Sequence, residues 1–315
     1  MSENNSITKK QHYIPQVYLR GFSPEYERGK KSQSNSRYTV YVYDLNKKKQ
    51  NLQAVPIKSI CYSENLYEVT GRNGEIVLPN YLERVFACLE KKFSAYRGKL
   101  EKKAFIESNY KTNCFLTYDE KVFWVTYIII QILRMPQILD VAEKLSEETW
   151  GKDVSLKQTK NIARMLCLPF FNSIEEDSIE MYIFNALFEP VRNMSFGVGV
   201  DRQKRIVTSN KTVYIGTRNF PCEEYDEIIF PITSELCLFL FGNENKQGCR
   251  NNFLFSITDE IRENLIYSMA SSSFENCTQI TFWIRMKRNI LKIQESLVYK
   301  KVNENWQSWL LEKMI

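Results

Sequence analysis

The chain has 315 residues, with 43 Lys and Arg against 37 Asp and Glu, a formal charge of +6, and 43% hydrophobic residues. This composition is close to that of an average globular domain, which excludes collagen-like, low-complexity and disulfide-scaffold classes. The single histidine, His12, excludes an HExxH zinc site or a two-histidine acid–base pair within one chain.

Residues 1–10 read as a disordered lead, polar and without the apolar run of a signal peptide. Pro15 suits the first turn of a helix, which would leave His12 just outside its N-terminus. Residues 29–36 (GKKSQSNS) read as a loop. Residues 38–44 (YTVYVYD) read as a strand, and residues 53–60 as a second strand completing a hairpin. A further short strand is expected at 66–69.

From Tyr81 the apolar period changes from two to about 3.6, with Leu82, Val85, Phe86, Leu89 and Phe93 on one stripe. Further helices are expected at 120–134, 137–149, 156–166 and 174–187. β character returns after Gly197, with strands at 205–208, 212–216, 227–232 and 236–241. A helix at 257–270 would be capped by Thr258. The tail is ambiguous: 279–284 reads as a strand, whereas Trp283, Met286, Ile290, Ile293 and Leu297 form a helical stripe.

The order of these elements predicts an α+β fold. An N-terminal β-hairpin region and C-terminal mixed strands would surround a central helical bundle. One domain is expected over 11–277, holding strands in 38–69, helices in 81–190, strands in 205–241 and the helix at 257–270. Residues 278–315 would form an extension. The longest apolar run, 122–133, is well short of the ~20 residues of a membrane span, so no membrane association is expected. The closest two of the eight cysteines, Cys237 and Cys249, are twelve residues apart, which excludes a CxxC knuckle. Free thiols in a cytoplasmic protein are the expectation.

Basic residues gather in 9–37, 91–111 and 285–301, each time beside aromatics. Such pairing suits stacked bases flanked by phosphates. Arg20, Lys91, Lys92, Arg97, Arg285, Arg288 and Lys292 are the candidate nucleic-acid contacts. The same pattern also describes solvated helix faces over an ordinary aromatic core.

Familiar nucleotide signatures are absent. No two glycines stand in Walker A spacing, and Gly197-Val198-Gly199 does not continue to a third glycine because position 202 is Arg. Three polar groupings remain. His12 heads the first, Gln11-His12-Tyr13-Ile14-Pro15-Gln16. A helix starting at Pro15 would bias its imidazole towards the neutral form, a usable general base. Alternatively, His12 ties the N-terminal segment down through one hydrogen bond. The second comprises Glu83 and Glu90, one helix face apart by roughly 10 Å, with Arg134. They form either an inter-helix ion pair or a carboxylate pair able to hold Mg²⁺. In the third, Ser209 and Asn210 leave a strand as a turn or as ligand contacts.

Together these residues resemble an uncharacterised bacterial family, domain of unknown function 4238. The resemblance rests on His12-Tyr13-Ile14-Pro15-Gln16 with Tyr18-Leu19 and Phe22, the Tyr43-Asp44 hairpin, and Asn65-Leu66-Tyr67. It continues through Glu83, Glu90, Arg134 with Pro136, Thr208-Ser209, Phe230-Pro231 and the helix at 257–273, covering about residues 8 to 277. The family pattern has Ser-Asp with a proline two residues on, whereas this chain has Ser209-Asn210-Lys211-Thr212. That departure favours the turn.

Two functions are expected to compete. One is a non-catalytic module binding DNA, RNA or a protein partner, as in a bacterial defence component. The other is a phosphodiesterase or nuclease-type hydrolase using His12 with Glu83 and Glu90, with Mg²⁺ as a possible cofactor and no metal ligand assigned. Small-molecule binding is a third option.

Overall fold

A computed structural model describes residues 7–30, 37–44, 54–69, 73, 75–106, 115–136, 139, 191, 194–216, 227–242, 252–270 and 281–284. But for Leu139, the expected helices at 137–149, 156–166 and 174–187 lie outside these residues, as do Arg285, Arg288 and Lys292. The α+β class holds, with strands at both ends of the described chain and the two long helices between them.

Residues 7–10 of the expected disordered lead are among the described residues, and Lys10 opens the first strand. Strand β1 (Lys10–His12) pairs antiparallel with β4 (Tyr62–Glu64), setting His12 opposite Tyr62. The backbone N–H of Thr8 donates to Asn80 Oδ1 at 2.8 Å. Pro15 then leads into the four-residue helix α1 (Gln16–Leu19), followed by a 3-10 turn at Arg20–Phe22. Gly21 is required there, since a Cβ would stand 2.9 Å from the carbonyl oxygen of Ile232.

The hairpin forms from β2 (Thr39–Asp44) and β3 (Ala54–Pro56), with Ile57–Ser59 turning as a 3-10 segment. The strand expected at 66–69 does not form. The pairing strand is β4 instead, and it stops where Asn65 takes a left-handed φ of 50°. Cys61 also lies in the left-handed region, at φ 58°, immediately before β4.

Helix α2 (Tyr81–Phe105) buries Leu82, Phe86, Leu89 and Phe93, the stripe set by its 3.6-residue period. Helix α3 (Tyr118–Leu133) begins at a capping box in which Thr117 and Glu120 satisfy each other's backbone amides. The helices meet through rings: Phe93 stacks on Tyr127 at 4.5 Å and Tyr96 on Phe123 at 3.9 Å.

A five-stranded sheet has the order β10-β5-β9-β8-β7. Its members are β5 (Ser195–Val200), β7 (Tyr214–Gly216), β8 (Glu227–Pro231), β9 (Leu236–Phe241) and β10 (Phe253–Ser256). The β10–β5 pair is parallel and the others antiparallel. Strands β5, β8 and β9 are buried throughout, as their continuous apolar runs require. Gly197 and Gly199 serve packing rather than a nucleotide: a Cβ on Gly199 would lie 2.8 Å from the Phe239 ring and 2.9 Å from Ile257.

The second sheet, β3-β2-β11-β6, joins the two ends of the chain. It contains β6 (Thr208–Ser209) and β11 (Thr281–Ile284). Although β11 lies beyond the expected boundary at 277, it is an inner strand, paired with β2 on one side and β6 on the other. Helix α4 (Asp259–Ala270) starts where Thr258 Oγ1 accepts from the Ile261 amide at 3.2 Å, the expected cap.

Tyr18 links the N-terminal motif to this framework. Its hydroxyl lies 2.7 Å from Thr208 Oγ1, and its ring stacks on Phe230 with 5.5 Å between centroids. The sheets therefore fix α1, and α1 fixes the spacing of His12, Gln16 and Arg20.

Candidate functional site

His12, Gln16 and Arg20 follow one another at four-residue intervals across the end of β1, α1 and the turn after it. All three are half-buried. Facing them, α2 presents Glu83 and Glu90 two turns apart, also half-buried. Arg134 caps the C-terminus of α3 and is only 1% exposed.

Arg134 binds these elements together. One terminal nitrogen donates to the carbonyl oxygen of His12 at 2.6 Å, and the other meets Glu90 Oε1 at 3.4 Å. Its guanidinium lies 4.2 Å from the centre of the Phe86 ring, a cation–π contact strengthened by burial. The Tyr67 hydroxyl donates to the Arg134 carbonyl at 2.7 Å, closing the end of α3. Burial opposes the charge on Arg134, but Tyr67 and Glu90 hold it above the ordinary range.

Further bonds hold the strand that carries His12. Gln11 donates to Glu68 at 2.5 Å and accepts from the Tyr67 amide at 2.6 Å, while Gln131 donates to the Tyr13 carbonyl at 3.1 Å. These bonds place the imidazole without using it.

The two titratable groups that remain are displaced in opposite directions. Burial lowers the pKa of His12 from 6.5, opposed by a hydrogen bond to the Lys58 carbonyl and reinforced by the charges of Arg134 and Lys10. The expected neutral bias is therefore present, but burial supplies it rather than the dipole of a helix that has only four residues. Burial raises the Glu83 carboxyl to about 7; Arg134 opposes the rise, while Glu90 and Glu68 add to it. Glu90 is also raised by burial, against the pull of Arg134 and Arg20. Near neutral pH the Glu83 carboxyl is therefore about half protonated, and the lowered pKa of His12 favours the neutral imidazole. In water the order of the two pKa values would be reversed.

Several polar atoms on this face are buried without a hydrogen-bond partner among the described residues: Glu83 Oε1, Gln16 Oε1, Arg134 Nε and the Tyr127 hydroxyl. An unmet buried group costs about 1–3 kcal/mol. Tyr127 was not among the expected site residues, and Gln16, though part of the first polar grouping, was given no role there. Four-residue spacing from both His12 and Arg20 was the available signal for Gln16, and Tyr127 stands two turns before Arg134.

The structure thus ties the His12 carbonyl and Glu90 to Arg134, with Glu83 under the charges of Arg134 and Glu90 and Arg20 within electrostatic reach of Glu90. Mg²⁺ takes hard oxygen ligands, yet Glu90 faces a guanidinium. Among the described residues no three His, Cys, Asp or Glu side chains gather.

Arg97 must be removed from the expected surface cations. It is 6% exposed, donates to the Val17 carbonyl at 2.8 Å and sits 4.8 Å from the Tyr26 ring centre. Lys91 and Lys92 are exposed on α2. Ser209 is fully buried and closes a turn on itself, its hydroxyl donating to the Lys211 carbonyl at 2.9 Å and accepting from the Lys211 amide at 3.1 Å. That is the geometry of a turn former, consistent with Asn at position 210.

An α+β chain with a half-buried histidine–carboxyl–arginine face is the class that fold and site define. The chain belongs to the family described as "Protein of unknown function (DUF4238)", whose model matches residues 10–264. No curated protein and no solved structure matches it. Among the described residues, no helix is long and apolar enough to cross a membrane.

Proposed function

We propose that this face is a catalytic centre that cleaves phosphodiester bonds in nucleic acid by general acid–base chemistry, with no metal-held water. The observation that carries the proposal is that His12 and Glu83 are both half-buried and both under the charge of Arg134, burial lowering the pKa of the first and raising that of the second. Neutral His12 is the general base and protonated Glu83 the general acid. Arg20, half-buried and within electrostatic reach of Glu90, would meet phosphate charge. Arg134 is too deeply buried to touch a substrate; it positions His12 and Glu90. Lys10, Lys58 and Lys91, all exposed, lie beside these residues along the strand, turn and helix that bear them, and supply attraction for a polyanion.

The assay compares wild type with His12→Ala and Glu83→Gln on labelled single-stranded RNA and DNA, with EDTA present. Cleavage by wild type should fall by roughly 10²–10⁴-fold in either variant. The wild-type rate should also drop above pH 7, where Glu83 loses its proton, and again below the lowered pKa of His12, where the base is blocked. Salt-sensitive binding without cleavage would replace the proposal with a binding module. Neither binding nor cleavage would end the nucleic-acid reading.

A further inference from the structure

His12 stands on a two-stranded ribbon whose faces differ. Gln11 points to the buried face, where it is fully covered and bonded to Glu68 and the Tyr67 amide. By the alternation of a strand, Lys10 and His12 point the other way, with their cross-strand partners Glu64 and Tyr62. Backbone bonds flank these two pairs, from the Tyr13 N–H to the Cys61 carbonyl at 3.0 Å and from the Asn65 N–H to the Lys9 carbonyl at 2.9 Å. Both pairs are therefore of the non-hydrogen-bonded kind, in which facing side chains come closest.

The His12 and Tyr62 rings accordingly lie 5.7 Å apart, tilted by 56°. Tyr62 is half-buried and keeps accessible surface beside the imidazole. Lys10 is exposed and holds its Nζ 4.6 Å from the centre of the Tyr62 ring. An exposed ammonium over a ring is a weak contact, and a nucleobase stacked on the same ring is a stronger one. A base therefore displaces Lys10 and leaves the freed ammonium next to the phosphate that the base carries. Lys58, exposed on the turn before β4, adds a second cation. Glu64 is the acid of this face, one pair further from His12.

We infer that this face is a subsite for an unpaired nucleobase: the base next to the scissile phosphate stacks on Tyr62, and Lys10 turns from the ring to the phosphate. The inference rests on the phosphodiester-cleaving reading above and gives it a substrate class, single-stranded nucleic acid. In a duplex each base is covered by its neighbours and paired at its edge, so none can lie on Tyr62 without leaving the stack. Stacking tolerates every base, so cleavage follows the presence of a base and not its identity. Tyr62 is a specificity-determining residue in this scheme and takes no part in proton transfer.

The test uses one labelled sequence, in DNA and in RNA form, in EDTA. Each form is offered as a single strand, as its perfect duplex, and as a single strand with abasic residues at alternate positions. Wild type is expected to cut the single strand at least about tenfold faster than the duplex, whose bases must first be unpaired. It should cut the abasic strand only at alternate phosphates, those with a base on the side that Tyr62 reads. Tyr62→Leu, folded by its thermal melt, should raise KM at least about fivefold with kcat nearly unchanged, the loss of one stacked base, and should lose the alternation. Tyr62→Phe keeps the ring and should behave as wild type. Comparable cutting of the duplex, equal cutting at every phosphate of the abasic strand, or an unchanged KM in Tyr62→Leu would overturn this inference and leave the phosphodiesterase reading standing. No cleavage of any strand would overturn both. Wild type on the abasic strand decides the matter even if Tyr62→Leu does not fold.

Discussion

Arg134→Ala is expected to lose about 3–5 kcal/mol of stability, the cost of removing one partner from a buried charged network. That is a large part of the ~5–15 kcal/mol that holds a typical domain together. The substitution strips the His12 carbonyl of its donor at 2.6 Å, removes the cation beside Glu90 and empties the space over the Phe86 ring. Glu90→Gln should cost far less, roughly 1 kcal/mol, because the Glu90 side chain is 27% exposed and water can take the place of Arg134. Arg134→Lys should recover only part of the loss, since an ammonium cannot reach two partners with a planar fork. Urea denaturation midpoints would measure all three. Equal losses for Arg134→Ala and Glu90→Gln would show that the ion pair, rather than the bond to His12, holds the segment.

Glu83→Gln is expected to stabilise the protein at high pH while abolishing most of its activity. Folding raises this carboxyl from an ordinary 4.5 to about 7. Between those values the folded state binds more protons than the unfolded state, so stability falls as pH rises through the window. Its contribution is fully present below about pH 4.5 and lost above about pH 7. After allowance for solvent screening, the penalty at pH 8.5 is roughly 1–3 kcal/mol. The variant has no proton to lose, so its melting temperature should exceed that of wild type at pH 8.5 and match it at pH 4.5. A gap that does not change with pH would mean that Glu83 titrates normally. A residue whose charged form destabilises the fold, and whose loss costs activity, is expected of a functional group rather than a scaffold one.

The parts of the fold legible in the sequence were those with a sustained period or a cap. Helix α2 followed from its apolar stripe, α4 from Thr258, and β8 and β9 from continuous apolar runs between polar turns. The strands that escaped notice lacked such signals. β1 and β4 have three residues each, too few for alternation, and pair across 50 residues of sequence. β5 carries Gly197 and Gly199, which weaken strand propensity and answer to the bulk of Phe253, Phe255, Phe239 and Ile257 across the sheet. Of the site, His12, Glu83, Glu90 and Arg134 could be named because each is an unusual polar residue in a patterned segment. The burial of Arg97 could not, since its neighbours Lys91 and Lys92 share its charge and only the packing of Tyr26 and α1 against α2 separates them.

The most direct test of the account is the ionisation of Glu83 itself, followed by carboxyl ¹³C resonances in glutamate-labelled protein and assigned by their absence in Glu83→Gln. The account predicts a carboxyl titrating at about 7 that disappears in the variant. If every glutamate titrates between about 4 and 5, the inverted pair does not exist, and the face around His12 is a structural tie.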